Sequence, residues 1–390
     1  MKTGIFNFLA QDRVRFGTPA ADALLAEVTQ RGAERVVVVT SRTLNRTTSA
    51  VSDALALIRP RVVGLFDECV EHTPRDTVIA VARQLREAKA DLVVSIGGGT
   101  VIDTVKVALV CLAQGVERIE QLDDWHMRVN PDGTRHVPLV GMPPCRQIAV
   151  PTTLSGAEFS DLGGATDTRN GTKQGYTGSH IGAAAVVLDP AMTVHTPDRL
   201  WLSTGVRALD HAVESICSVN AQPLVDAVCL HALGLLSRSL ARYAQDPSDL
   251  DARLDAQMGA WLASTGIRRT DYGASHGLGH ALGADAGVPH GITSCVLLPT
   301  VMRYNAEASR AQLAGIAAAL GDSQRPAADQ IEALIASLGL PTRIGQLGID
   351  RARLPVIAQK GMANPWVHTN PRPIKAASEL VALLEQAWGE

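Results

Sequence analysis

The run Asp91-Leu-Val-Val-Ser-Ile96, which passes without a spacer into Gly97-Gly-Gly-Thr100, restricts the possible folds more than any other stretch. A short, nearly unbroken aliphatic run is the signature of a strand buried on both faces, as in a parallel sheet. Three glycines at its end predict an abrupt turn into the helix expected from 101 to about 112. Arg35-Val-Val-Val-Val-Thr40, Val62-Val-Gly-Leu-Phe66 and Gln147-Ile-Ala-Val150 repeat the strand pattern. Helical spacing fills the intervals at 20–31, 48–57 and 77–90. This alternation predicts an α/β fold, a parallel sheet covered by helices on both sides.

The pattern changes near residue 190. From 197 to 389 strand signals almost vanish, and alanine- and leucine-rich helical stretches follow at 204–219, 222–244, 250–268, 308–320, 326–338 and 374–388. The expected organisation is an N-terminal α/β domain over 1–190 and an all-α domain over 191–390, and 390 residues suffice for two cores. A net charge of −3 with no basic run argues against nucleic acid or a membrane surface as partner. The six cysteines show no paired spacing, which fits neither a zinc ribbon nor a disulfide framework and points to a reducing cytoplasm. Neither a signal peptide nor a bilayer-spanning stretch is expected.

Strand, triple glycine and helix together form a phosphate cradle. Gly97, Gly98, Gly99 and Thr100 let backbone N–H groups face an anion at a helix N-terminus. Neither the G-x-G-x-x-G pattern nor a P-loop is present. Asp103 and Lys106, on the first turns of that helix, are candidates for a ribose. Pro151-Thr-Thr-Leu-Ser-Gly-Ala-Glu-Phe-Ser160 is a second polar loop after a strand, in which Thr152, Thr153 and Ser155 could line a nucleotide cleft. The competing reading makes both loops plain turns, with Asp103 and Lys106 as solvated helix charges.

Ala274-Ser-His-Gly-Leu-Gly-His-Ala-Leu-Gly283 places His276 and His280 one turn apart on a helix thinned by glycines. His290, between Pro289 and Gly291, reads as a loop or helix start, and Gly205–Glu214 contributes His211. Clustered histidines suit a divalent metal or proton traffic near neutral pH.

Taken together these segments resemble the iron-containing (group III) alcohol dehydrogenase family. The resemblance rests on Gly97–Lys106, Pro151–Glu158, Gly205–Glu214, His276–Gly283, Pro289-His-Gly291, Leu298-Pro299 to Tyr304-Asn305 and Asn370-Pro-Arg-Pro373. It implies a dinucleotide-binding α/β domain, a helical domain of the dehydroquinate synthase-like kind, and an active site between them. It also implies NAD or NADP on the glycine loop and a metal, Fe²⁺ or Zn²⁺, held by one Asp and three His. By resemblance His211, His276 and His290 fall on the histidine-ligand positions, and His280 on the proton-relay position near the nicotinamide.

One position departs from the pattern. Where the family carries its Asp ligand, four residues before His211, this chain has Arg207. A guanidinium stays charged and cannot ligate a metal. Asp210, rotated about 100° from His211 on a helix, is not expected to replace it. The maleylacetate reductase subgroup, which resembles this chain at the Asn-Pro-Arg-Pro segment, also lacks that Asp and is thought to act without metal. The expectation is that Arg207 polarises a substrate carbonyl while His280 or His211 gives the proton, with an anionic substrate such as a keto acid favoured and Arg268 and Arg269 adding positive charge. The alternative for Arg207 is an ion pair with Asp210 or Glu214. Alternatives for the whole chain are a metal-dependent dehydrogenase of short-chain alcohols, a dehydroquinate synthase-like lyase, and a non-catalytic nucleotide binder. Ser41 stands where NAD-selective relatives carry Asp, so with Arg42 and Arg46 nearby NADP is admitted. Thr73-Pro74 replaces an Asn-Pro of many relatives. A homo-oligomer, commonly a dimer, is implied.

Overall fold

The computed structural model describes residues 4–129 and 134–389. The chain divides into two compact units. One runs from Asn7 to His195; the other begins at Thr196 and takes in the N-terminal residues up to Phe6.

In the first unit β1 (Arg13–Phe16), β2 (Val36–Ser41), β3 (Val62–Cys69), β4 (Leu92–Gly97), β5 (Arg146–Pro151) and β6 (Ala185–Leu188) form one sheet in the order β1-β6-β5-β4-β2-β3. Every neighbouring pair is parallel. The helices α1 (Ala20–Arg31), α2 (Arg75–Glu87) and α3 (Gly99–Gln114) lie among its crossovers. Alternate residues of the central strands feed two different cores. Val37, Val39 and Val93 belong to one, and Val36, Val38, Leu92, Val94 and Ile96 to the other. Burial on both faces is what a continuous aliphatic run requires. After β2 the chain turns toward β3, and after β4 toward β5, on the opposite side. That reversal leaves a crevice at the carboxyl ends of β2 and β4, where open α/β sheets take their ligands. Register aligns Thr40 with Ile96 and Gly97 with Pro151, so Ser41, Gly97 and Pro151 share that edge.

Three features differ from the sequence-based expectation. The strands β1 and β6 and an antiparallel hairpin, Leu162–Asp167 with Thr172–Thr177, are additional. The helix expected at 48–57 is only Ala50–Ala54, and a further short helix, Arg42–Thr47, precedes it.

The second unit is helical: α4 (Asp198–Ile216), α5 (Pro223–Gln245), α6 (Leu250–Ala263), α7 (Ala274–Ala286), α8 (His290–Tyr304) and shorter helices beyond. Contrary to expectation, α5 is long and apolar enough to cross a membrane. It is instead a core helix, burying Val225, Cys229, Leu233, Leu236 and Leu240 within the unit. The central helix is α4, buried along nearly its whole length from Trp201 to Ile216. All six cysteines are buried free thiols.

Candidate active site

Arg207, Asp210, His211 and Glu214 recur on α4 at the i, i+3, i+4, i+7 spacing of one helical stripe. All four are buried and meet the N-terminus of α7. That terminus has no cap of its own, because Gly273 precedes it. Glu214 supplies the cap, accepting the backbone N–H of Gly273 (3.0 Å), Ser275 (2.9 Å) and His276 (3.2 Å). Asn370 accepts that of Ala274 (3.1 Å) and is held by reciprocal bonds with Asn305. Three of the sequence segments that carry the family resemblance therefore converge on one helix start. The positive end of the helix dipole also favours a carboxylate there.

The same Glu214 carboxylate lies 2.7 Å from His276 Nδ1, and Asp210 lies 3.5 Å from it. Two carboxylates facing Nδ1 place a proton on that nitrogen, and Nε2 is buried without a hydrogen-bond partner. Burial, reinforced by His276 and Arg207, pushes the His211 imidazole well below its ordinary range. His211 is thus a neutral ring and a poor proton donor, which corrects its expected role as an alternative to His280. Its ring lies 5.6 Å from that of Tyr272 and 5.0 Å from that of His276. Tyr272, whose ring lies 4.0 Å from His276, was not singled out in the sequence; a lone tyrosine before a glycine carries no signal of such packing. His280 is half-buried, 3.3 Å from the Asn364 amide, with its ring 4.9 Å from Trp366 and 5.3 Å from His290. His290 is the first residue of α8.

The Arg207 side chain keeps 10% of its surface and lies 3.5 Å from Asp210. Its Nη1 donates to Ser294 Oγ at 3.0 Å. Burial lowers its pKa, and Asp210 opposes that shift. The ion pair weighed as the alternative for Arg207 is present with Asp210, one turn on, and the same carboxylate approaches His276. Burial alone would raise the Asp210 carboxyl; His276, Arg207 and the Ser294 hydroxyl outweigh it and hold the group below the usual carboxylate range. A Cβ added at Gly279 of α7 would lie 2.9 Å from Thr293 Oγ1, so that glycine permits the close approach of α7 to α8.

In the first unit the helix α3 starts at Gly99 with Gly98 as its cap residue and no side-chain cap, so its first N–H groups are open to an anion. A Cβ at Gly98 would lie 3.0 Å from Thr153 Cγ2, and one at Gly99 3.0 Å from Ser155 Oγ. The Ser155 hydroxyl is buried with no hydrogen-bond partner. Thr152 N–H bonds Gly97 C=O, tying the two loops together. Thr100 lies in the first turn of α3, where its C=O accepts the Thr104 hydroxyl (2.8 Å). Lys106 is not available to a ribose. Its ammonium is buried and bonded to Ala157 C=O, Ser160 Oγ (3.1 Å), Leu162 C=O (2.8 Å) and Asp103 (3.3 Å). Asp103 also accepts the Gly164 N–H (3.1 Å). Both residues hold the loop rather than offering free groups to a ligand. Glu158, in the same loop, is a buried carboxyl pushed up to about 7 by burial. Ser41 caps the short helix Arg42–Thr47, accepting from Leu44 N–H at 3.4 Å. Arg46 is bonded twice to Asp67, whose carboxyl it draws down to about 2, and Arg42 pairs with Glu68 at 2.8 Å. Thr73 adopts φ 53°, a left-handed conformation that suits the Asn of many relatives better than a β-branched side chain.

Comparison with known proteins adds a decisive observation. The iron-containing alcohol dehydrogenase description matches residues 11–190, and the C-terminal description of the Fe-containing alcohol dehydrogenase family matches 201–388. The chain belongs to the iron-containing alcohol dehydrogenase family. It is an oxidoreductase of the dehydrogenase/reductase type that family comprises. Dehydrogenase FUM7 of Gibberella moniliformis is 33% identical, with 92% of each chain covered. A maleylacetate reductase of Burkholderia cepacia is 28% identical over 96% of this chain and 95% of its own. The crystal structure of maleylacetate reductase from Agrobacterium tumefaciens superposes with a TM-score of 0.82 at 27% identity, covering 100% of this chain and 99% of that one.

This family uses NAD(P) and a divalent metal. The glycine cradle, uncapped helix and orphaned Ser155 hydroxyl fit a dinucleotide. The metal fits less well. Two nitrogens on one Zn²⁺ lie at most about 4.2 Å apart, twice the usual bond length. Among the described residues the trio whose ligand atoms lie within 4.8 Å of one another is Asp210, Glu214 and His276, rather than the three histidines at the family's ligand positions. By distance that trio could hold an ion. Glu214 accepts three backbone N–H groups and faces His276 Nδ1, and Asp210 Oδ2 accepts two serine hydroxyls, while Asp210 Oδ1 and His276 Nε2 are buried without hydrogen-bond partners among the described residues. An ion there would displace the bonds at Glu214 and sit beside the fixed cation of Arg207, so the residues present do not suit one.

Proposed function

We propose that this family member reduces a small, negatively charged carbonyl compound, a keto acid of the maleylacetate type, with hydride from NADH or NADPH. We further propose that Arg207 does the work of the divalent ion. The observation that carries this reading is the buried guanidinium within the histidine cluster, which among the described residues donates a hydrogen bond at Nη1 alone. Its other N–H groups can polarise a carbonyl oxygen and stabilise the negative charge that develops there, and they attract a substrate carboxylate. Polarisation activates either the carbonyl carbon or a conjugated double bond. His280, half-buried on the accessible side of α7, supplies the proton, while Glu214 fixes His276 and neutral His211 completes the wall. Backbone N–H groups of Gly99 and Thr100, with the hydroxyls of Thr152, Thr153 and Ser155, hold the dinucleotide, which supplies the hydride. Because Arg46 is committed to Asp67, NADH is expected to serve better than NADPH.

The test is steady-state kinetics of the purified protein on a carbonyl panel that includes maleylacetate, with NADH and NADPH in turn. Metal content is measured, and activity is compared with and without added Fe²⁺ or Zn²⁺. Stoichiometric metal, or activity that needs it, would favour a metal-dependent alcohol dehydrogenase, the second reading, for which the Asp210–Glu214–His276 trio speaks. Turnover without net loss of NADH would indicate a lyase, and dinucleotide binding without turnover a non-catalytic relative. We also propose a cytoplasmic homodimer, on the free buried thiols and the family; light scattering after gel filtration checks the dimer.

A further inference from the structure

Asp210 and Ser294 lie against Arg207, and Ser275 lies against Asp210. Asp210 is fully buried, and its Oδ2 accepts the hydroxyl protons of Ser294 (2.6 Å) and Ser275 (2.9 Å). A serine hydroxyl has one proton. Since Ser294 gives that proton to Asp210, its lone pairs are turned toward Arg207 Nη1, which donates to it at 3.0 Å. The result is a directional chain from guanidinium to hydroxyl to carboxylate. It anchors one nitrogen of a group that has five donors in a rigid plane. Nε and Nη2 make no hydrogen bond among the described residues and are not sealed from solvent.

We infer that Asp210 is a positioning residue: through Ser294 it fixes one edge of the Arg207 guanidinium, so that the N–H fork on the other edge is presented to a substrate carboxylate. This rests on the proposed role of Arg207 in holding an anionic substrate. The inference has a sign that charge alone reverses. As a buried anion beside the site, Asp210 repels a second anion, so neutralising it would tighten anion binding if electrostatics were its whole effect. As the anchor of the fork, its loss frees the guanidinium to rotate away, and binding weakens.

Isothermal titration with malonate, an inert dicarboxylate, at constant ionic strength separates the two. The wild-type chain is expected to bind one malonate, and Arg207→Ala none. Asp210→Asn, which keeps shape and removes charge, is expected to weaken malonate at least about fivefold. Ser294→Ala, which changes no charge, is expected to weaken it in the same direction. Unchanged or tighter binding by Asp210→Asn overturns the inference, as does a wild-type chain that takes up no malonate. If Asp210→Asn loses its thermal transition, Ser294→Ala decides, and unchanged affinity there overturns the inference. Failure of the functional reading is seen separately, as absence of hydride turnover on every carbonyl tested, because malonate binding needs no reaction.

Discussion

Lys106 and Arg207 are both buried cations on long helices, and both sit in segments that carry the family resemblance. They differ in what remains of their hydrogen-bonding capacity. An ammonium has three donors, and Lys106 points them at three acceptors from the loop and strand beyond α3 and at Asp103 of α3 itself. A guanidinium has five, and Arg207 directs one nitrogen at Ser294 with Asp210 behind it. Burial therefore goes with structural support at Lys106, whereas Arg207 keeps the donors that the proposed chemistry needs. For a buried charge, the donors left over are more informative than the burial itself.

Exchanging the two effects is the direct way to break this contrast. Arg207→Ala is expected to lower kcat/KM by about 10²- to 10³-fold, the range for loss of one preorganised oxyanion donor. Unchanged kcat/KM would put Arg207 in the same class as Lys106. Lys106→Met should instead cost about 2–4 kcal/mol of stability, because buried carbonyls and a carboxylate lose their donor. Denaturant unfolding measures this, with kcat at saturating NADH nearly unchanged.

A third variant sharpens the comparison within the glycine-loop unit. Burial raises Glu158 from 4.5 to about 7, with Lys106 opposing and Asp103 adding to the shift. A carboxyl raised in the folded state contributes stability that is present below its unfolded pKa and lost as pH rises through the folded one. From pH 4.5 to above 7 this group alone withdraws about 3 kcal/mol. Glu158→Gln should therefore flatten the decline of melting temperature between pH 5 and 8, and an unaltered profile would count against the buried carboxyl as its cause. The smallest effect is on cofactor choice. Asp67→Asn releases Arg46 and is expected to shift the NADPH/NADH ratio of kcat/KM about tenfold toward NADPH.

Much of the first unit could be read from residues, because β2, β4 and β5 are aliphatic runs with burial on both faces. The hairpin at 162–177 could not: Gly163, Gly164 and Gly175 interrupt the alternation, and its inward positions include threonine and aspartate. In the helical unit the histidines and Arg207 were legible as types at a spacing. The i,i+3 pair of Arg207 with Asp210 was legible as the alternative reading of Arg207, whereas the approach of Asp210 to His276, Ser275 and Ser294 was not, because those residues come from other helices. Glu214 as a cap left one trace: α7 opens on Gly273-Ala274 with no capping side chain, so a buried start there needs an acceptor from elsewhere.

That borrowed cap ties two helices into one opening event. First-turn amides ordinarily exchange with solvent fastest, since they lack a partner within their own helix. Here the amide hydrogens of Gly273, Ser275 and His276 end on a carboxylate rooted in α4, a helix enclosed along nearly its whole length. Deuterium should enter them only when α4 itself lets go, so the slowest-labelling amides of α7 are expected at its beginning rather than its middle.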